Sequence, residues 1–93
     1  MIRSFKDKST ELVASGRCPK GFPPDLVRPA VRKLTMLDYA QELIDLRSPP
    51  GNRLEALKGD RAGQYSIRIN DQWRICFVWT MSGPEDVEIT DYH

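Results

Sequence analysis

The stretch from residue 65 to residue 79, YSIRINDQWRICFVW, alternates apolar and polar side chains with a period of two. Such alternation is typical of half-buried β-strands. If Ile69 pairs with Trp73 across the loop of residues 70–72, every apolar side chain of the two strands lies on one face. A tighter turn would bring Arg68 beside Trp73 and break this pattern. The stretch therefore predicts an antiparallel hairpin with a wide loop.

This register brings Arg68 directly opposite Arg74 on the second face of the hairpin. Like charges directly opposite each other destabilise a sheet, so the pair needs compensating negative charge. Acidic neighbours such as Glu55 or Glu88 are one source. A bound phosphate is the other, because the planar guanidinium fork suits bidentate contact with phosphate. The residues alone leave both interpretations open.

Two segments of the N-terminal half carry helix signals. The first runs from Asp7 to Ser15 and is ended by Gly16. The second has Asp25 as a suitable N-cap and apolar residues at helical spacing after it. Proline is tolerated only in the first turn of a helix, so Pro29 indicates a start between Asp25 and Arg28. Residues 43–46 extend the apolar stripe as a further short turn.

Short strands are predicted on both sides of the hairpin, at residues 2–5, 53–58 and 87–90. Helices followed by an antiparallel meander define an α+β fold. We expect one domain spanning residues 1–93, with two N-terminal helices packed on one face of a mainly antiparallel sheet.

Composition excludes several classes of protein. The chain has 93 residues and a formal net charge of +1, which fits one globular domain without a strong electrostatic signal for nucleic acid. No apolar run approaches the roughly 20 residues that cross a bilayer, and no apolar segment of a signal peptide follows MIRSFKDK. A cytoplasmic location is expected, and Cys18 and Cys76 are then expected to be free. With a single histidine and no C-x-x-C pair, neither a metal site nor a cofactor is predicted.

The sequence ends in EITDYH. Asp91, Tyr92 and His93 combine a carboxylate, a phenol and an imidazole, which are groups suited to proton transfer. A frayed tail without a role is the other interpretation. The alternation of residues 87–90 favours a tail that is tied into the sheet.

The stretches LEALKGDRAGQYSIRINDQWRICFVW and VEITDYH resemble the RelE/ParE toxin superfamily, and in particular its HigB branch, from Leu34 to the end of the chain. The resemblance implies a compact α+β ribonuclease fold and ribosome-dependent cleavage of messenger RNA. It assigns the catalytic tail to Asp91, Tyr92 and His93, the strand arginine to Arg74, and the basic residue before the glycine to Lys58. There is one departure, because members of the family have a catalytic histidine where this chain has Glu55.

Cleavage by the RNA's own 2′-hydroxyl needs a base, cations around the phosphate, and an acid for the leaving oxygen. Lys58, Arg68 and Arg74 are the candidate cations for binding the phosphate. His93 is a candidate acid or base. Glu55 is a candidate base in place of the missing histidine, and a salt bridge to Lys58 or Arg74 is its alternative role. No step requires a metal ion.

Aromatic side chains admit two interpretations in such a site. Tyr92 can stack on a splayed base or donate a proton, and Asp91 can orient the terminal imidazole or contact the base.

Trp73 and Trp79 are further candidates for base stacking. Their shared parity with the apolar residues of the hairpin favours core packing, and the same holds for Tyr65.

The resemblance also implies partners. These are the ribosomal decoding site with its messenger RNA, a helix-turn-helix antitoxin of the HigA type, and operator DNA contacted through that antitoxin. Two alternatives to the nuclease remain: a toxin of this fold that acts by binding alone, and a chain that serves as the antitoxin's partner and co-repressor. The D-Y-H tail favours the nuclease, whereas Glu55 weakens it.

Overall fold

The computed structural model describes residues 1–91, in which a helical N-terminal half precedes an antiparallel sheet. The α-helices are α1 (Lys8–Ala14) and α2 (Pro24–Tyr39). The 3-10 helices are η1 (Leu43–Arg47), η2 (Pro50–Asn52) and η3 (Gly59–Arg61). The strands are β1 (Glu55–Ala56), β2 (Tyr65–Arg68), β3 (Trp73–Thr80) and β4 (Gly83–Asp91). The α+β class predicted from the sequence is confirmed.

The four strands pair antiparallel in the order β1-β2-β3-β4. The central hairpin has the register predicted from the alternation, with Arg68 opposite Arg74 and Ile67 opposite Ile75. Ile69 lies one residue beyond β2, yet its N–H still donates to the carbonyl of Trp73 at 2.9 Å. The wide loop is therefore correct.

Both helices lie on one face of the sheet, as predicted. Their buried side chains form one cluster with the apolar row of the strands: Val13, Ala30, Leu34, Leu37, Ile67, Ile75, Phe77 and Val87. The buried stripe of α2 is set by Leu26, Ala30, Leu34 and Leu37, a spacing that presents one side of the helix to the strands.

The predicted first strand at residues 2–5 is reduced to a single parallel bridge between Phe5 and Val87. The segment follows β4 through isolated bonds, such as Arg3 N–H to the Pro84 carbonyl at 2.8 Å. A regular ladder cannot form there for two reasons. Pro84 has no N–H to donate, and Asp86 has a left-handed backbone with φ of 52°.

The start of α2 also differs from the prediction. The helix begins at Pro24, and the N-cap is Pro23, which offers no side-chain hydrogen bond. Asp25 instead lies in the first turn, where its charge complements the helix dipole. Pro29 is inside the helix, where it removes only the bond to the carbonyl of Asp25.

The strand predicted at residues 53–58 contains only Glu55–Ala56. Arg53 has a left-handed backbone with φ of 46°, which is incompatible with an extended strand. Lys58 is the N-cap of η3, so the chain turns at both ends of β1.

Candidate functional site

The face of the sheet opposite the helices carries two polar rows. Residues in register on neighbouring antiparallel strands project on the same side. The first row, from β1 to β4, contains Glu55, Ser66, Cys76 and Glu88. The second row contains Arg68, Arg74 and Thr90. Of the candidate residues from the sequence, Glu55, Arg68 and Arg74 thus share one surface.

Arg74 is the best-fixed charged group of this surface, with only 7% of the residue exposed. Its Nε donates to the Ser66 hydroxyl at 2.8 Å, and one terminal nitrogen donates to the Arg53 carbonyl at 2.6 Å. The left-handed turn at Arg53 therefore supplies an acceptor to the arginine. A residue held in such backbone geometry is common where a side chain must be positioned for function.

Glu55 lies beside the other terminal nitrogen of Arg74, with its Oε1 at 3.7 Å. The Glu55 side chain is 53% exposed, so solvent and a ligand can reach it. The salt bridge predicted as one role of Glu55 is confirmed for Arg74. It does not extend to Lys58, whose exposed ammonium has no ion pair within residues 1–91.

Arg68 is balanced by a different acid, because it pairs with Asp71 in the hairpin loop. Each arginine of the opposed pair therefore has its own carboxylate. A further cation, Lys33, lies on α2. Burial, followed by the charges of Arg32 and Arg68, lowers the pKa of Lys33 below its usual range.

Glu88, the second acid considered as a balancing charge, pairs with residues that sequence reasoning missed. Its Oε1 is 3.0 Å from Arg61 of η3 and 3.9 Å from Lys6. Arg61 also donates to the Gln64 amide oxygen at 3.1 Å. The spacing of residues along the chain did not indicate these contacts, because they form only when the tertiary fold brings η3 over the sheet.

Asp91 lies in register with Trp73, which places it on the other side of the sheet from Arg74. Its carboxylate accepts a hydrogen bond from the Gln72 amide at 3.0 Å. Asp91 therefore belongs to the edge formed by the hairpin loop rather than to the arginine row. Tyr92 and His93, the other predicted tail residues, lie outside the described residues.

The aromatic candidates pack as core residues. Tyr65 stacks on Phe77 with ring centroids 6.3 Å apart, and Trp79 packs against the hydrophobic cluster. Trp73 is half-buried and contacts Phe22 with centroids 6.0 Å apart. The interpretation as core packing is thus confirmed for Tyr65 and Trp79, whereas for Trp73 it stays a prediction.

Both cysteines are free, Cys18 exposed in the loop before α2 and Cys76 buried in β3. Burial raises the pKa of the Cys76 thiol. Residues 1–91 contain no cluster of three or more His, Cys, Asp or Glu side chains that would hold a metal ion. Among these same residues, no helix is both long and apolar enough to cross a membrane.

The helix-covered sheet with an arginine-bearing polar face is the arrangement expected of the RelE-like toxin class. The sequence profile of the HigB-like toxins, described as the RelE-like toxin of the type II toxin–antitoxin system HigB, matches residues 3–93. The chain belongs to this family, and as a type II toxin it has a cognate antitoxin as partner.

Individual relatives agree with the profile. Toxin HigB-1 of Vibrio cholerae serotype O1 is 42% identical over 80 residues, which cover 85% of this chain and 84% of the relative. Endoribonuclease HigB of Proteus vulgaris is 33% identical over 93 residues, the full length of both chains. An uncharacterized protein of Haemophilus influenzae is 42% identical over 58 residues, or 62% of this chain and 57% of that protein.

Proposed function

We propose that the chain is an endoribonuclease that cleaves messenger RNA on the ribosome by attack of the RNA's own 2′-hydroxyl. The observation that carries the proposal is the arrangement of Arg74 and Glu55, a fixed guanidinium beside an accessible carboxylate, 3.7 Å apart. The full-length similarity to a protein named Endoribonuclease HigB supports the same reaction class.

The first step is proton removal from the 2′-hydroxyl by Glu55. The Glu55 carboxylate is accessible, and a carboxylate within hydrogen-bond reach of a hydroxyl can act as a general base. The oxygen attacks the adjacent phosphorus, the bond from phosphorus to the 5′-oxygen breaks, and a cyclic phosphate forms. Arg74 neutralises the additional negative charge on the crowded phosphate, because its fork is held in place before the reaction.

Two further cations complete the phosphate site. Lys58 is exposed and follows β1 as the N-cap of η3, whereas Arg53 precedes β1. Arg68 lies in register with Arg74. Their role is to bind the backbone on either side of the reacting phosphate, a contact that weakens as salt concentration rises.

The tail supplies the remaining groups of the reaction. His93 protonates the leaving 5′-oxygen, and Tyr92 stacks on an unpaired base. Asp91, held by Gln72 at the hairpin loop, contacts the neighbouring base or orients the imidazole. The RNA provides the nucleophile, so the mechanism is proposed as metal-independent.

Ribosome dependence is testable with one pair of substrates. The purified chain should cleave messenger RNA in programmed ribosomes within coding sequence and leave the same naked RNA mostly intact, because docking supplies the orientation for attack. Glu55→Gln, which keeps the size and loses the base, should abolish most of the cleavage. Equal cleavage of naked and ribosome-bound RNA would contradict ribosome dependence.

Glu55 also distinguishes the nuclease from a toxin that acts by binding alone. Glu55→His introduces the histidine expected in the family. If position 55 supplies the base, Glu55→His preserves or raises cleavage. If both Glu55→Gln and Glu55→His arrest growth as wild type does, with no cleaved messages, the chain acts by binding.

We further propose that the cognate antitoxin is a helix-turn-helix protein of the HigA type that acts in the cytoplasm. The complex would repress its own operon by contacting operator DNA through the antitoxin. A gel-shift assay with the upstream DNA checks this, because the toxin alone should not shift the DNA while the complex does.

A further inference from the structure

A groove lies between η1 and the open edge of β1, away from the arginine row. Its volume is about 490 Å³, and its lining residues are Leu43, Ile44, Arg47, Leu54, Ala56 and Tyr65. The nuclease proposal assigns a task to none of them.

The groove is lined mainly by apolar side chains that remain accessible. Ile44 is 61% exposed, one of the few large hydrophobic residues on the surface of residues 1–91. Ala56 is in register with Tyr65, so their side chains form the floor on the helix side of the sheet. Exposed apolar surface that lines a concavity is characteristic of a binding site for another molecule.

The β1 edge offers backbone groups in the same place. In the described part of the chain, β1 has β2 on one side and no strand on the other. The Leu57 N–H donates to the Gln64 carbonyl at 2.8 Å. Because donors alternate in direction along an antiparallel strand, the N–H and C=O of Ala56 point to the open edge. Such an edge pairs readily with an incoming extended segment.

Three exposed cations belong to the chain segments that border the groove. Arg47, Arg53 and Lys58 are exposed, and none of them has an ion pair in residues 1–91. The nearby acids Glu42 and Asp45 accept hydrogen bonds from backbone N–H groups in a capping box, and within residues 1–91 they form no ion pair with these cations. A ligand with acidic groups could therefore pair with cations that precede and follow β1.

We propose that this groove binds an extended segment of the cognate antitoxin. Its backbone pairs with β1, one apolar side chain enters beside Ile44, and acidic residues contact Arg47, Arg53 and Lys58. This inference rests on the family's antitoxin partnership and not on the nuclease reaction. A second copy of the chain fits poorly, because β1-to-β1 pairing would bring the three cations of both copies together.

The position of β1 gives such binding a consequence for the site. The Glu55 side chain leaves β1 on the opposite face and contacts Arg74. A segment added to the edge would hold β1, and with it Glu55, against Arg74.

The test is the affinity of purified, full-length cognate antitoxin for toxin variants, measured by calorimetry. Ile44→Asp introduces a charge into the apolar groove and should weaken binding by more than about tenfold. Arg47→Glu should weaken it in the same direction. Met81→Asp is the matched control, since Met81 is fully exposed in the turn between β3 and β4, and its affinity should stay within about twofold of wild type.

Hydrogen exchange gives a second measurement on the unaltered protein. The Ala56 amide should become protected when the antitoxin is added. Wild-type affinity in both Ile44→Asp and Arg47→Glu, or an Ala56 amide that stays unprotected, would overturn the proposal. So would a concentration-dependent dimer that Ile44→Asp disrupts while antitoxin binding persists, because the groove would then bind a second copy.

Cleavage assays without antitoxin separate this proposal from the nuclease. Ile44→Asp should cleave ribosome-bound messenger RNA as wild type does. If Ile44→Asp loses cleavage and keeps antitoxin affinity, the groove contacts the ribosome and the proposal is wrong. If wild type itself does not cleave, the nuclease proposal fails while the affinities still decide the groove.

Discussion

The two faces of the central hairpin are built from alternate residues of the same strands and are buried to a similar extent. On the helix side, Ile75 and Phe77 have no exposed surface. On the other side, Ser66 and Cys76 are equally inaccessible and Arg74 nearly so. Depth of burial therefore does not distinguish the stabilising face from the face that we propose to be functional.

The difference lies in what the buried groups contact. The helix side exchanges water for apolar neighbours, which stabilises the fold. The polar side buries a guanidinium, which is costly unless its donors are satisfied. The Ser66 hydroxyl and the Arg53 carbonyl satisfy Arg74. A sheet that needed only stability would not require this arrangement, so the polar face is where we expect activity to be lost without unfolding.

The largest separation of activity from stability is expected for His93→Ala. General acid–base catalysis contributes roughly 10²–10⁴-fold, so cleavage of ribosome-bound messenger RNA should fall by that order. Thermal unfolding should change by less than about 0.5 kcal/mol, and antitoxin affinity should remain. Full toxicity of His93→Ala would assign the chemistry to Glu55, Lys58 and the arginines instead.

Phe77→Ala should give the opposite result. The side chain is fully buried between the helices and the sheet, and truncating a buried phenylalanine costs about 3–5 kcal/mol. Urea unfolding should show this loss, whereas cleavage per folded molecule should remain near that of wild type. A variant with wild-type stability but impaired cleavage would break the distinction between the two faces.

Within the polar face, Arg74→Lys and Arg68→Lys form a matched pair. Lysine keeps the charge but loses the fork, so Arg74→Lys should leave the Ser66 and Arg53 acceptors poorly satisfied and cost about 1–3 kcal/mol. Arg68 pairs with an exposed Asp71, so Arg68→Lys should change stability by less than about 0.5 kcal/mol. Chemical denaturation compares them, and equal losses would mean that Arg74 is not specially fixed.

The hairpin shows how much of the fold was predictable. Period-two alternation and the need to keep Ile69 and Trp73 on one face determined the register, because a slip of one residue reverses every side chain. The N-terminal segment was less predictable. Residues 2–5 have a strand-like pattern, but whether they form a ladder depends on Pro84 and the left-handed Asp86 in a distant strand.

The site was predictable in its residues and only partly in its contacts. Parity placed Arg68 opposite Arg74, and it offered Glu55 and Glu88 equally as balancing acids. Glu55 contacts Arg74, whereas Glu88 contacts Arg61. That choice depends on how the loop of η3 folds back over the sheet, a long-range contact for which spacing along the chain carries no signal.

The smallest expected effect concerns the alkaline stability of the polar face. Burial raises the pKa of the Cys76 thiol above its ordinary value of 9.0. Above about pH 9 the unfolded chain releases the thiol proton while the native chain retains it, so the unfolded state binds fewer protons. The free energy of unfolding should therefore fall as pH rises through this range, by at most about 1.4 kcal/mol per pH unit for one group.

Cys76→Ala removes the titrating group, so its unfolding free energy should fall less steeply with pH than that of wild type. Slopes are compared rather than absolute values, because the shorter side chain also leaves a cavity. Cys18→Ala, which alters the exposed cysteine, should keep the wild-type slope. Urea titrations between pH 8 and pH 10.5 in reducing buffer, spanning roughly the window in which such a thiol titrates, measure the difference. Parallel slopes for Cys76→Ala and wild type would mean that the buried polar row tolerates a thiolate as readily as water does, and the contrast between the two faces would lose its electrostatic basis.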